Sequence, residues 1–288
     1  MKTVEVTYRY QADDKFVRAQ PVDAEAARRR LDEGSQAFAT LLDNFAEGSG
    51  VASRVIQVDP QDLGFLTAGE SAPKHRPFAA VLGCSDARVP IELIFNEGPN
   101  DLFVVRVAGN GLGNDALGSL KYAVDHLDAS LRLIVVLGHS GCGAVSAAVD
   151  VFLNPSGYLA IVSKHTLRGI LDQLLLVVHA SATRMIAFFG PDVTRHPRYR
   201  EALIEVSVVT NAALAAHTVQ QELGSGEGSG NGVRAVYGVY LIASREVWAP
   251  RSGSRDHAGL ADAPRGHDDF VGFGESVMRT DRIAAMLR

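Results

Sequence analysis

The chain has 288 residues, of which 47% are hydrophobic and 21% are charged. This balance is typical of a globular protein and excludes the low-hydrophobicity composition of a disordered chain. The formal net charge of −5 gives no electrostatic reason to expect a nucleic-acid partner. The opening stretch MKTVEVTYRYQADDKF has no apolar run of signal-peptide length, so we expect a cytoplasmic protein.

Residues 1–75 are predicted to form an N-terminal arm and a helix. The arm contains the alternating stretch TVEVTYRY, which is followed by polar residues. Within residues 25–46, large apolar side chains recur at helical spacing and form one broad face. A connection that contains Pro and Gly then leads to about His75.

Residues 76–150 alternate between short apolar runs and helical segments. The runs PFAAVLGC, DLFVVRVAG and LRLIVVLG predict buried strands, and the segments GSLKYAVDHL and GAVSAAVDVFL predict helices. Strands that alternate with helices form a parallel sheet covered on both faces. The predicted fold class is therefore α/β, with a central, mostly parallel β-sheet flanked by helices and preceded by the N-terminal helical arm.

The rest of the chain is predicted to contain, in order, a helical insertion, the last strand and a poorly ordered polar tail ending in a short helix, over residues 151–222, 233–250 and 251–288. The apolar stretch GILDQLLLVVHASATRMIAFFG contains Asp172, His179 and Arg184. A membrane span would have to bury all three side chains. We therefore expect a buried or interface helix and no membrane partner.

The chain contains only two cysteines, and both lie near the ends of predicted strands. Cys84 ends the first of these strands, and Cys142 lies three residues after His139, at the end of the third. Because ligands of parallel sheets bind at the carboxyl ends of the strands, we expect these side chains at one site. A cysteine pair in a cytosolic protein is more often metal-binding or catalytic than bridged.

The stretch GHSGC also resembles the serine-hydrolase elbow G-x-S-x-G, in which Ser140 would be the nucleophile. That elbow needs a second glycine so that the next helix can pack close to the turn, and Cys142 takes its place here. Two thiolates and one imidazole suit Zn²⁺ better, and three protein ligands with no evident fourth indicate a catalytic site. Asp86 and Arg88 can pair beside the metal, where an ionised Asp can orient a zinc-bound hydroxide.

Two motifs resemble those of the β-class carbonic anhydrase family. CSDARVP (84–90) is similar to the family's C-S-D-S-R-V-P loop, and GHSGCG (138–143) is similar to its G-H-x-x-C-G loop. The sequence between the loops is also similar to that of the family. The resemblance implies one β-carbonic anhydrase-like domain over residues 1–288, with its zinc-site core in residues 76–150.

The resemblance also implies the activity and the residues that carry it. The enzyme would be a zinc lyase that hydrates carbon dioxide reversibly to bicarbonate and a proton, by attack of a zinc-bound hydroxide. The implied metal ligands are Cys84, His139 and Cys142. Asp86 and Arg88 match the family's catalytic pair, in which the aspartate is either paired with the arginine or bound to the metal as a blocking ligand.

Three further residues are candidates for substrate binding. His75 lies nine residues before Cys84, where the family often has a Gln that helps to hold bicarbonate. A histidine there can donate the same hydrogen bond or act as a proton shuttle, and the alternative is an ordinary exposed histidine. Phe103 and Tyr122 match apolar pocket positions of the family, and their alternative role is core packing.

The family resemblance implies a homodimer or a tetramer, because family active sites lie at subunit interfaces and the N-terminal helix crosses onto the partner. Ala108 stands where larger aliphatic residues are frequent, so the pocket is expected to be slightly wider. A few relatives with the same zinc loops act on carbonyl sulfide or carbon disulfide. Hydrolysis of one of these linear molecules is therefore the alternative function.

Overall fold

Two β-sheets organise the fold. The computed structural model describes residues 2–10, 19–47, 50–65, 72–158, 165–224, 233–250 and 259–288. The strands in these residues are β1 (Thr3–Tyr10), β2 (Val51–Val58), β3 (Ala79–Gly83), β4 (Leu102–Arg106), β5 (Leu133–His139), β6 (Arg234–Leu241), β7 (Glu246–Trp248) and β8 (Ala261–Asp262). The helices are α1 (Ala24–Ala39), α2 (Ile91–Phe95), α3 (Asn114–His126), α4 (Gly143–Leu153), α5 (His165–Phe189), α6 (Tyr199–Leu223), α7 (His267–Arg279) and α8 (Asp281–Ala284).

The larger sheet has the strand order β4-β3-β5-β6-β7, and β8 pairs with β6. The first four strands of this order are parallel to one another, whereas β7 and β8 run antiparallel to β6. Every residue of β3 and β5 is buried, as expected for strands covered on both faces. The predicted α/β class with a mostly parallel central sheet is confirmed.

The two long helices occupy most of the segment 151–222, of which residues 159–164 lie outside the described part. By length and composition alone, α5 and α6 could each cross a membrane. In α6, 83% of the apolar window is buried, and the helix packs on β5 and β6 as a core helix does. Only 39% of the window in α5 is buried, so α5 packs one face on α4 and α6 and exposes the other.

Residues 259–288 are not the poorly ordered tail that the sequence predicted. Strand β8 joins the sheet, α7 packs on α5 and α6, and α8 packs on α6. Leu260, Phe273, Val277 and Ile283 are buried in this segment. The polar composition concealed a single apolar helix face, which is enough to dock a helix. Residues 251–258 of the predicted tail lie outside the described residues.

The predicted last strand, 233–250, is two strands rather than one. β6 and β7 are antiparallel neighbours, with Leu241 opposite Glu246. The turn between them contains Arg245 at a φ of 68°, a left-handed conformation that reverses the chain. A hairpin therefore ends the parallel part of the sheet.

The N-terminal part contains a strand that the sequence did not predict. β2 lies in the segment assigned to a connection and pairs in parallel with β1, in a separate two-stranded sheet. Helix α1 begins at its N-cap Asp23, whose side chain accepts a hydrogen bond from the backbone N–H of Ala26 at 2.7 Å. It buries Ala27 and Leu31 against its own chain, where it packs on α2 and on the sheet.

Candidate metal centre

Three potential metal ligands meet at the carboxyl ends of two adjacent strands. Cys84 directly follows β3, and His139 is the last residue of β5. Gly83 lies opposite Leu137 in the parallel pairing of these strands, so both ligands emerge at the same sheet edge. Cys142 is the N-cap of α4. The ligand atoms of the three residues lie within 4.8 Å of one another, and all three residues are buried.

The imidazole of His139 is oriented as a metal ligand requires. Its Nδ1 lies 3.1 Å from the carbonyl oxygen of Ser140, and because a carbonyl can only accept, Nδ1 carries the proton. The other nitrogen, Nε2, is buried and has no hydrogen-bond partner among the described residues. Metal-ligating histidines usually donate their second ring N–H to a carbonyl or a carboxylate in this way. The orphaned Nε2 beside two sulfurs therefore fits a bound metal ion.

The two sulfurs lie 4.0 Å apart in unequal surroundings. The hydrogen bond from the Cys142 thiol lowers the pKa of Cys84 below its ordinary value, although burial opposes the shift. The backbone N–H of Gly109 also donates to the Cys84 sulfur, at 3.3 Å. The same hydrogen bond raises the pKa of Cys142, because the Cys142 thiol is its donor and keeps the proton. Backbone N–H groups at the start of α4 oppose this shift, since they favour the thiolate. The pair therefore holds one proton, which a metal ion must displace.

Asp86 lies beside the three ligands and is paired with Arg88. Its Oδ1 accepts hydrogen bonds from the backbone N and from Nε of Arg88 at 2.9 and 3.0 Å, and its Oδ2 accepts from Nη2 at 2.7 Å. The Arg88 guanidinium holds the pKa of Asp86 well below its ordinary range, so the carboxylate is ionised. The Oδ2 atom lies 3.9 Å from Nε2 of His139. An ionised acceptor thus stands at the edge of the ligand cluster.

Arg106 braces the loop that carries Cys84 and Asp86. Its Nε donates to the carbonyl oxygen of Cys84 at 3.0 Å, and its Nη2 donates to the carbonyl oxygen of Asp86 at 2.6 Å. Arg106 is the last residue of β4 and lies opposite Gly83 in the sheet, which places it level with the loop. No sequence motif indicated this contact, because both acceptors are backbone oxygens.

Helix α6 supports the centre at two places, the turn at Gly109 and the end of β5. Nδ2 of Asn211 donates to the carbonyl oxygen of Gly109 at 2.9 Å, and Gly109 in turn donates to the sulfur of Cys84. A Cβ on Gly138 would lie 3.3 Å from Cγ1 of Val208, so the helix packs directly on the end of β5. Sequence reasoning missed these contacts, since α6 lies far along the chain from both loops.

Ser140 fastens the turn to the neighbouring strand. Its backbone N–H donates to the carbonyl oxygen of Tyr240 at 3.0 Å, and its Oγ accepts from the backbone N–H of Ile242 at 3.0 Å. A nucleophilic serine needs a hydrogen bond from Oγ to a base, and no histidine in the described part of the chain forms one. The geometry therefore gives Ser140 a structural role.

The three predicted substrate-binding residues form a ring cluster at the edge strand β4. The ring centroids of His75 and Phe103 lie 5.9 Å apart, and those of Phe103 and Tyr122 lie 6.4 Å apart. Phe103 is opposite Ala80, four positions before Cys84, which places it about 13 Å back along the strands from the metal ligands. The structure brings the three rings together but places them away from the ligands of the same chain.

A protein-family model, two curated proteins and a solved structure are similar to this chain. A model of the protein family described as Carbonic anhydrase matches residues 79–227, just over half of the chain. The carbonic anhydrase of Mycolicibacterium smegmatis is 46% identical over 100 residues, which are 34% of this chain and 48% of that protein. The carbonic anhydrase of Pseudomonas aeruginosa is 32% identical over 204 residues, which are 67% of this chain and 82% of that protein. The solved structure of the β-carbonic anhydrase CcaA is 24% identical, covers 77% of this chain and 94% of that chain, and has a TM-score of 0.43.

The chain spans about half the length of the Mycolicibacterium relative and most of the Pseudomonas relative. The family match includes both loops of the centre and extends through α6. It therefore covers the three ligand residues, the Asp86–Arg88 pair and the supporting Asn211. The chain belongs to the β-class carbonic anhydrase family.

Proposed function

We propose that the protein catalyses the reversible hydration of carbon dioxide to bicarbonate and a proton, with zinc as its cofactor. The observation that carries the proposal is the convergence of Cys84, His139 and Cys142, with Nε2 of His139 left without a hydrogen-bond partner among the described residues. Two thiolates and one imidazole are the donor set of a known type of catalytic zinc site. Family membership supports the reaction, since the matching curated relatives are named carbonic anhydrases.

The donor set also supports a catalytic role for the metal. Three protein ligands leave a tetrahedral ion with one position for water or substrate, whereas structural zinc sites are closed by four. Bound there, zinc would supply hydroxide near neutral pH, because it lowers the pKa of water to about 7, a magnitude known from a carbonic anhydrase with three histidine ligands. The chain itself must provide the hydrogen-bond acceptor that orients the attacking oxygen.

Asp86 is the residue best placed to orient the attacking oxygen. Its ionised carboxylate can only accept hydrogen bonds, and Oδ2 lies 3.9 Å from the ligand atom of His139. An O–H group that donates to this carboxylate has its lone pairs turned away from Asp86 and toward the substrate carbon. Arg88 keeps the carboxylate ionised and turned away from the metal, through three hydrogen bonds.

We propose further that the protein acts as a homodimer or a tetramer. Phe103, whose ring lies between those of His75 and Tyr122, is on the edge strand β4, about 13 Å back along the strands from the ligands of its own chain. Tyr122 is 50% exposed, although its ring is large and apolar. If these rings bind substrate, they do so at the metal site of a second copy that meets this edge. Within the described ranges β4 is an edge strand, and a sheet edge is itself a surface suited to association.

A cytoplasmic location and the absence of nucleic-acid and membrane partners remain proposals. Neither cysteine forms a disulfide in the described structure, and unbridged cysteines persist in reducing compartments. The net charge of −5 gives no attraction to phosphate backbones, and the burial of α6 supports its role as a core helix.

Metal analysis and a stopped-flow hydration assay test the proposal. We expect about one zinc ion per chain, and we expect Cys84→Ser and His139→Ala to remove most of the zinc together with the activity. Ser119→Ala, on α3, is the control and should retain both, because its Oγ donates to the carbonyl oxygen of Asp115 within its own helix. A folded, metal-free preparation with full hydration activity would overturn the proposal. Carbonyl sulfide assayed beside carbon dioxide tests the alternative, and a strong preference for the sulfide would establish it.

A further inference from the structure

Glu205 is a buried carboxylate of α6 that lies against the turn between His139 and Cys142. The residue is 8% exposed, and its Oε1 accepts a hydrogen bond from the backbone N–H of Gly141 at 3.1 Å. Gly141 has a φ of 62°, a left-handed conformation that glycine adopts without strain. A carboxylate is costly to bury unless its oxygens are paired. Glu205 therefore needs a second partner, and the structure provides one.

That second partner is Arg282 of α8. Its Nε lies 3.1 Å from Oε2 of Glu205, and its Nη2 contacts the same oxygen. The two side chains are 27% and 11% exposed, so this ion pair is better shielded from water than a surface pair. Helix α8 is itself anchored, because Thr280 and Ile283 are fully buried. A residue 140 positions after Cys142 thus reaches the turn through one carboxylate.

We propose that Glu205 and Arg282 are positioning residues for the metal centre. Arg282 orients the carboxylate of Glu205, and the carboxylate holds the Gly141 N–H, which lies between His139 and Cys142. The spacing of those two ligands is thereby fixed by contacts that touch neither ligand side chain. The inference rests on the proposed zinc site. Groups that hydrogen-bond metal ligands directly typically contribute about 10–100-fold to metal affinity, and we take this as the scale for a carboxylate that holds the backbone between two ligands.

A second ion pair on the same helix provides a matched control. Nε and Nη2 of Arg200, in the first turn of α6, donate to the carboxylate of Asp150 on α4 at 2.6 and 2.8 Å. This pair joins two helices, as the pair between Glu205 and Arg282 does, but Asp150 lies two turns of α4 beyond Cys142. If the Glu205 pair only holds helices together, its loss should have the same consequences as the loss of the Arg200 pair.

The experiment measures zinc release from the intact chain to a chromophoric chelator, the absorption spectrum of the Co²⁺-substituted protein, and thermal unfolding of the metal-free protein. We expect Glu205→Ala and Arg282→Met to weaken zinc binding by about 10–100-fold and to shift the Co²⁺ bands. Arg200→Met should leave zinc affinity within about twofold of the wild type, since its pair does not reach the turn. If Glu205→Ala does not fold, Glu205→Gln replaces it: the amide has one acceptor oxygen for two donors, so it loses the contact with either Arg282 or the Gly141 N–H with little change of shape.

The outcomes separate the positioning role from the proposed function. Weaker zinc binding in both variants, with Arg200→Met unaffected, supports the positioning role. A zinc affinity in Glu205→Ala or Arg282→Met equal to that of Arg200→Met overturns it, whatever the unfolding temperatures show. A wild-type protein that binds no zinc refutes the proposed function and this inference with it. Zinc binding by the wild type therefore tests the proposed function, and the comparison of the variants tests the positioning role.

Discussion

The contact between Asn211 and Gly109 allows a quantitative test of how α6 supports the metal centre. The Nδ2 of Asn211 donates to the carbonyl oxygen of Gly109 at 2.9 Å, and both groups are buried. Asn211→Ala removes this donor and leaves the carbonyl oxygen without that hydrogen bond. A buried polar group that loses its partner costs about 1–3 kcal/mol, so we expect the free energy of unfolding of the metal-free protein to fall by about 2 kcal/mol.

The same substitution should weaken the metal site by a separately measurable amount. Once Gly109 is released, its N–H no longer points at the sulfur of Cys84, where it now donates at 3.3 Å. The zinc-loaded protein should therefore lose more stability than the metal-free protein, because a ligand that binds only the native state stabilises it in proportion to its affinity. Urea unfolding of both forms measures the two free energies.

Ser207→Ala is the matched control for Asn211→Ala. Ser207 lies on the same helix and is fully buried, and its Oγ has no hydrogen-bond partner within the described ranges of the chain. Its removal should leave both free energies of unfolding unchanged or raise them, because the lost hydroxyl is buried without a partner among the described residues and alanine is the better helix former. If Asn211→Ala destabilises the loaded and metal-free forms equally, or by no more than the control does, the link from α6 through Gly109 to Cys84 is refuted.

Three further predictions concern the carboxylate, the protons and the packing of α1. Asp86→Asn should retain zinc but lower kcat by roughly 10²–10⁴-fold, because the amide can also donate; unchanged turnover in stopped flow would contradict the orienting role. Zinc affinity should fall as the pH falls, because the raised pKa of Cys142 strengthens the binding of a proton that competes with the metal. Calorimetry at pH 8 in two buffers should detect about two released protons per zinc, one from the cysteine pair and one from the metal-bound water whose pKa lies near 7. Gly34→Ala should destabilise the protein by about 3 kcal/mol or more in thermal unfolding, because its Cβ would lie 1.9 Å from the carbonyl oxygen of Phe95. Gly118→Ala, a helical site with no described atom within 4 Å of the new Cβ, should be neutral or stabilising.

The ligand residues could be predicted from the sequence because their chemistry is concentrated in two short loops. Cys84 and Cys142 are the only cysteines of the chain, and both follow apolar runs that indicate buried strands. Because the carboxyl ends of parallel strands meet at one edge of a sheet, this was sufficient to predict that both cysteines lie close to His139. The pairing of Asp86 with Arg88 was equally accessible, because the two residues are neighbours in one loop.

The supporting residues could not be predicted in this way. Arg106, Asn211 and Glu205 each bind a backbone group of a metal-site loop, and every residue offers such groups, so the sequence carries no sign of which one is bound. The polar segment 259–288 was misjudged for a related reason. Many of its buried side chains occupy one face of α7, and average composition does not report a single face.

The parallel pairing of β3 with β5 has a consequence for the order of events in folding. Cys84 and His139 are 55 residues apart and meet only when these two strands pair. Contacts of this kind form slowly, because the entropy of closing a long loop is lost before any contact energy is gained. A chain that has formed only local helices offers no point where three donors meet. Zinc present from the start of refolding should therefore bind at the rate at which the native sheet forms. The rate of zinc binding then measures the rate of β3–β5 pairing.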